Sequence, residues 1–185
     1  MSEHAQSFVA HLSELAERDR GALAHLRRSL GFTPGGFPRA YPYVERFVPN
    51  ECHAADPWRK ALYLTAALFA LHPKHRPDIS LAAALGSIAR TRESKSIEQR
   101  FIALLGAEPE SLHNLLRQSV SLLAADDRPC NYVRLLDDLG VWLRPFDLER
   151  RGSIRQRWAR DFYRAYEPDS NNGDHEASIQ TTTPD

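Results

Sequence analysis

Apolar residues along this chain recur at three- and four-residue intervals, and almost nowhere at intervals of two, so the pattern predicts helices and no strands. Phe8, Val9, Leu12 and Leu15 mark a first helix over about residues 4–17. A second follows almost at once, with Asp19 as N-cap, Leu23, Leu26 and Leu30 as its stripe and Gly31 as a left-handed C-cap. Residues 32–56 change character. Pro34, Gly35, Gly36, Pro38, Pro42 and Pro49 stand among aromatics there, which predicts a packed connection with room for one short helix.

Asp56-Pro57 is a helix-start signal, and the helix it opens runs through Trp58, Leu62 and Leu68 to about Leu71 before His72-Pro73 ends it. Ser80–Ala89 predicts the next helix, followed by a charged connection. Ser96 with Gln99 has the spacing of a capping box for a helix carrying Ile97, Phe101, Ile102 and Leu105, stopped by Gly106. Pro109–Ala125 and a helix opened by Asn131 and running to about Leu143 come next, and Asp126-Asp127-Arg128-Pro129 between them reads as a turn. The last helix is expected from near Ser153 to Tyr166, burying Ile154, Trp158, Phe162 and Ala165. The expectation is an all-α helical bundle of eight to nine helices, in two small lobes at 1–90 and 91–166. Residues 167–185 lack apolar anchors and are expected to form a disordered acidic tail.

The formal charge of zero conceals an asymmetry. Five of the 24 acids follow Tyr166, where no lysine or arginine stands, so residues 1–166 set 19 acids against 24 bases and carry +5. Arginine supplies 21 of those bases and lysine 3. Codon usage in a GC-rich genome favours arginine everywhere, but it does not decide where arginines cluster. The densest segment, Arg144 to Arg164, holds seven arginines against Asp147, Glu149 and Asp161. Arg157, Arg160 and Arg164 share a helix face distinct from the apolar stripe. Such a face can hold phosphates by releasing their counterions, without regard to sequence. The alternative is a solvated face with intrahelical pairs such as Arg157 with Asp161 or Arg134 with Asp138. Arg27 and Arg28 on the second helix, and Arg90, Arg92, Lys95 and Arg100 in the middle, extend the same chemistry, with Arg117 and Arg134 as further candidates.

Signals for catalysis are absent: no His-Glu-x-x-His, no Walker glycine loop, no Gly-x-Ser-x-Gly elbow. Cys52, His53, His72 and His75 fit no structural zinc spacing. Asp126-Asp127 and Asp137-Asp138 are neighbours pointing about 100° apart on a helix, which suits a solvated face or a helix end better than magnesium. No catalytic residue, metal, cofactor or small-molecule substrate is expected. The longest nearly apolar run, Ala61 to Leu71, falls short of the ~20 residues that cross a bilayer, so no membrane partner is expected. Two cysteines and no apolar leader point to a reducing, cytoplasmic setting.

In their order and spacing, Asp19-Arg20-Gly21-Ala22-Leu23 with Leu26-Arg27-Arg28, Ser96-Ile97-Glu98-Gln99-Arg100-Phe101, Tyr132-Val133-Arg134-Leu135-Leu136 and Arg157-Trp158-Ala159-Arg160-Asp161-Phe162-Tyr163 resemble the CasB family. That family is the small subunit of the type I-E CRISPR Cascade complex, and the resemblance covers about residues 5–166. It implies a non-catalytic helical protein present in two copies in an RNA-guided antiviral surveillance complex. The implied partners are the backbone subunits, the large subunit, a second copy of itself and crRNA-guided target DNA, including its displaced strand. Motif by motif it carries over to Arg27, Arg28 and Arg100 first, then Arg117 and Arg134. Nothing is carried to residues 32–57 or to the tail.

Overall fold

The computed structural model describes residues 2–167, so most of the acidic tail lies outside the described residues. Nine α-helices and no strand occur among them. They are α1 (Glu3–Arg18), α2 (Arg20–Arg28), α3 (Tyr41–Val44), α4 (Pro57–Leu71), α5 (Leu81–Thr91), α6 (Lys95–Leu105), α7 (Pro109–Ala125), α8 (Tyr132–Trp142) and α9 (Leu148–Tyr166). The all-α bundle is as expected.

Caps set most of the boundaries. The side chain of Asp19 accepts from Ala22 N at 2.8 Å, Asp56 from Trp58 N at 2.8 Å and Asn131 from Arg134 N at 2.9 Å, each satisfying a donor that the first helical turn leaves unpaired. Three local expectations are corrected. Gly31 is no left-handed cap, because α2 tightens into a 3-10 turn over Ser29–Gly31; the left-handed glycine is Gly35, at φ 84°. The capping box at Ser96 does not form, because a tight turn with Glu93 at φ 48° starts α6 at Lys95, with Ser94 in the cap position. Finally, α9 begins at Leu148 and runs through Gly152. A glycine inside a helix costs about 1 kcal/mol. The preceding turn is held by Arg151, whose guanidinium donates to Arg144 O at 2.8 Å and to Glu108 at 3.1 Å.

The centre of the bundle is α4, where every residue from Ala61 to Ala70 is buried, Thr65 included. A helix apolar all round must be covered all round, and α1, α2, α7 and α8 pack on it. The other main contact is between α5 and α9. It is a backbone approach: a Cβ placed on Gly86 would lie 2.2 Å from Phe162 O. Phe162 stacks on Phe101 of α6 at 4.1 Å between centroids, and Trp158 lies 5.1 Å from Trp142 of α8. Buried residues on both sides of residue 90 belong to one cluster, running from Ala5 to Phe162. The connections after α4 and α7 lie side by side, with Cys130 N bonded to Lys74 O at 3.1 Å and Asn131 N to Ile79 O at 2.7 Å.

Candidate nucleic-acid interface

The eleven basic candidates separate by what their charges already hold. Arg134 and Arg157 are tied into the joint between α8 and α9. Arg157 donates to Asp138 Oδ1, and Arg134 Nη2 lies 3.1 Å from Asp161 Oδ2. The partners are exchanged relative to the intrahelical pairs the sequence offered: each arginine takes its acid from the other helix. Asp138 is 6 % exposed, and burial raises its pKa more than the donors Arg157 and Trp158 and the nearby Arg134 lower it. Arg92 pairs with Asp126 at the end of α7, so its charge is matched in place. Arg27 Nε donates to Ala70 O at 2.9 Å, capping the last turn of α4 while the residue stays exposed.

Arg28, Arg90, Lys95, Arg100, Arg117, Arg160 and Arg164 are exposed and have no ion pair within 4.0 Å among the described residues. Two of them meet. Arg100 from α6 and Arg117 from α7 line one depression of about 760 Å³, together with Asn114, Gln118 and Ser121. Asn114 and Arg117 also line a larger groove of about 970 Å³, bounded by residues 30–36, the start of α4 and the start of α7.

Lys60 and His113 in that groove escaped the sequence reading. Lys60 was hidden by its place at the head of an apolar helix. It is half-buried, again with no ion pair within 4.0 Å among the described residues. His113 stands one residue after the buried Leu112. Its pKa is lowered by burial, with Arg117 adding to the shift and a backbone contact at Leu30 opposing it.

Other sequence-singled residues are engaged elsewhere. Arg151, counted with the basic segment, is 2 % exposed and internal. Arg155 donates to Ala107 O at 2.8 Å and lies over the Trp142 ring. His72 Nε2 is 2.8 Å from Arg128 O, and His75 Nδ1 accepts from Tyr132 N at 3.2 Å. No group of three or more His, Cys, Asp or Glu side chains gathers as a metal site among the described residues, and no described helix is long and apolar enough to cross a membrane.

Residues 22–163 match the family model of CRISPR-associated protein Cse2. The chain belongs to the Cse2 family. Ten of the eleven basic candidates fall inside the matched region, and Arg164 lies one residue beyond it. The chain is 42 % identical over 149 residues to CRISPR-associated protein Cse2 of Thermus thermophilus, covering 78 % of this chain and 79 % of that protein. Crystal structures of CasB from Thermus thermophilus (TM-score 0.73, 40 % identity, 88 % of this chain and 99 % of that one) and from M. ruber (0.70, 33 %, 89 % and 95 %) share its fold. So does a chain of a CRISPR RNA-guided surveillance complex (0.71, 25 %, 89 % and 94 %). The resemblance read from the Arg27-Arg28, Arg100, Arg134 and Arg157-Arg160 motifs is thus that of a Cse2 protein.

Proposed function

We propose that this Cse2 protein is the small, non-catalytic subunit of a type I-E CRISPR RNA-guided surveillance complex in the cytoplasm. It holds target DNA, the displaced strand included, by its phosphates and bridges neighbouring subunits. The observation that carries the DNA reading is that Arg100 and Arg117, unmatched by any acid within 4.0 Å among the described residues, line one depression. Opening a duplex against a guide RNA is a nearly balanced exchange, and contacts to the freed backbone tip it. The non-catalytic reading is supported by the state of the reactive side chains. Burial pushes the Cys130 thiol up to about 12, and His72 and His75 are bonded to backbone.

The test is binding of the purified chain to a labelled single strand over a salt series. About five phosphate contacts give a log–log slope of roughly −3 to −4. A flat response overturns direct binding.

A second reading, an interaction subunit whose basic surface meets acidic patches of partner proteins, is favoured by the entry to α9. Phe146 is 94 % exposed and Leu148, two residues on, 69 %, large apolar side chains left open to a partner. Charge reversal at Arg27, Arg28 and Arg100 separates the two. Variants that assemble but leave unstable R-loops favour DNA; variants that fail to assemble favour the scaffold.

A further inference from the structure

The larger groove carries more than charge. Its lip is Phe32, 45 % exposed, whose ring stacks on Phe37 with centroids 4.8 Å apart and planes at 29°. Phe37 packs against the core, so one face of Phe32 is backed and the ring is held rather than free to fold away. The loop behind it is pinned. Tyr41 Oη donates to Gly35 O at 3.0 Å, and Gly35 adopts its left-handed conformation with its α-carbon so close to Arg59 that a Cβ would sit 2.6 Å from the guanidinium. Arg59 is fixed in turn by its bond to Glu45 and by lying over the Tyr63 ring at 4.9 Å. An exposed phenyl ring on a rigid mount is a ready stacking surface, because little conformational freedom is left to lose on binding.

The rest of the groove matches a nucleic-acid strand. Leu64 and Leu143 contribute apolar lining, Lys60 and Arg117 supply unpaired positive charge, and Asn114 supplies a side-chain amide. Beyond Arg117 the path continues to Arg100 and Gln118. Glu110 is the one acid lining either depression among the described residues. The groove alone, at about 970 Å³, is at the upper end of the roughly 300–1,000 Å³ that encloses a drug-sized ligand. With the second depression it has room for more than one nucleotide. Proteins that grip single strands without sequence preference combine these two elements, a basic track for the backbone and an aromatic surface for a base. A duplex keeps its bases stacked inside and has no free face to offer Phe32.

We infer that the groove between the 30–36 loop and α7 is a single-strand site, in which Lys60, Arg117 and Arg100 hold the backbone and Phe32 stacks on an unpaired base. This rests on the DNA-binding reading above, and adds that the site distinguishes an opened strand from a duplex.

The full chain is titrated into a labelled 20-nucleotide single strand and into the duplex of the same sequence, for the wild type, Phe32→Ala, Phe32→Trp and Arg117→Ala. Thermal unfolding of each variant reports folding. Phe32→Ala is expected to weaken single-strand binding by about 5- to 140-fold, the range for loss of one stacked base, and to leave duplex binding within about twofold. Phe32→Trp keeps single-strand affinity, and its emission, relative to wild type, is quenched by an oligonucleotide. Arg117→Ala weakens both substrates. If Phe32→Ala leaves single-strand affinity unchanged while Arg117→Ala lowers it, the base site is overturned and the DNA reading stands. If the wild type binds neither substrate, both fall. Equal losses on strand and duplex for Phe32→Ala, or competition by a free mononucleotide at the strand's own affinity, also overturn the proposal.

Discussion

Trp158 Nε1 donates to Asp138 Oδ2 at 2.6 Å, a buried hydrogen bond joining α9 to α8. The neighbouring Arg157 takes the other carboxylate oxygen, so two consecutive residues of α9 close on one acid. Trp158→Phe keeps an aromatic ring in place and removes the donor. The expected loss is about 1–3 kcal/mol, read as a lower urea midpoint at unchanged slope. Asp138→Ala strands both donors. Its cost should fall near the low end of the roughly 3–5 kcal/mol for breaking a buried pair, because water reaches the Arg157 side chain, 37 % exposed. Equal midpoints for wild type and Asp138→Ala would refute the structural role.

Gly86→Ala tests the approach of α5 to α9. The new methyl would meet a backbone oxygen at 2.2 Å, and the backbone cannot rotate aside as a side chain can. Alanine is the better helix former by about 1 kcal/mol, so the sign of the result decides. A loss of about 1–3 kcal/mol from overpacking is expected, seen as a lower melting temperature. A gain would mean that the helices separate freely.

Acid should weaken the fold through its half-buried histidines. His11, His75 and His113 all have pKa values lowered below 6.5, first of all by burial. Around His11 stand Arg46, Glu14 and the Tyr43 carbonyl; around His75, the backbone of Cys130 and Tyr132; around His113, Arg117 and the Leu30 backbone. His75 Nδ1 already accepts from Tyr132 N, and Arg46 donates to His11 Nδ1, so a proton at either nitrogen displaces a bond. The unfolded chain binds protons first as pH drops below 6.5, and stability present above that value is lost as pH falls toward the folded-state values. Asp138, its pKa raised first of all by burial, acts in the opposite sense. Melting temperatures at pH 7.5 and 5.5 check this, and a higher value at pH 5.5 would contradict it.

Arginines equal in the sequence should differ in binding. Arg92 is matched by Asp126, whereas Arg100 stands unmatched in a groove. Arg100→Ala should weaken single-strand binding and flatten the salt slope by about 0.7, the share of one phosphate contact on a single strand. Arg92→Ala should change the slope by less than half as much. Parallel salt titrations decide.

Helix periodicity and capping chemistry read from the sequence located most of the bundle, because Asp19, Asp56 and Asn131 act on donors two or three residues away. What escaped was decided by contacts distant in sequence. Nothing local marks Arg151 as internal, since an arginine inside a charged run looks solvated; its burial depends on Glu108 and Arg144 O. That anchor also explains why α9 begins five residues before its expected start. Asp137 and Asp138 look alike in sequence, yet only Asp138 meets Arg157 and Trp158. Phe32, Lys60 and His113 come from three separate elements, so no motif could gather them, although a lone lysine opening an apolar helix and a histidine among leucines were visible irregularities.

The close seat of α9 on α5 also bears on how the chain is made. The face of α5 around Gly86 emerges from a ribosome about 75 residues before Phe162, the residue whose backbone closes on it. Although α6 and α7 also pack on α5, this face waits uncovered until α9 is made. A contact between such distant points slows folding, because a long loop must close before it is rewarded. A nascent chain halted near Ala125 would therefore be open to proteases and chaperones, and the last helix is the step that ends that exposure.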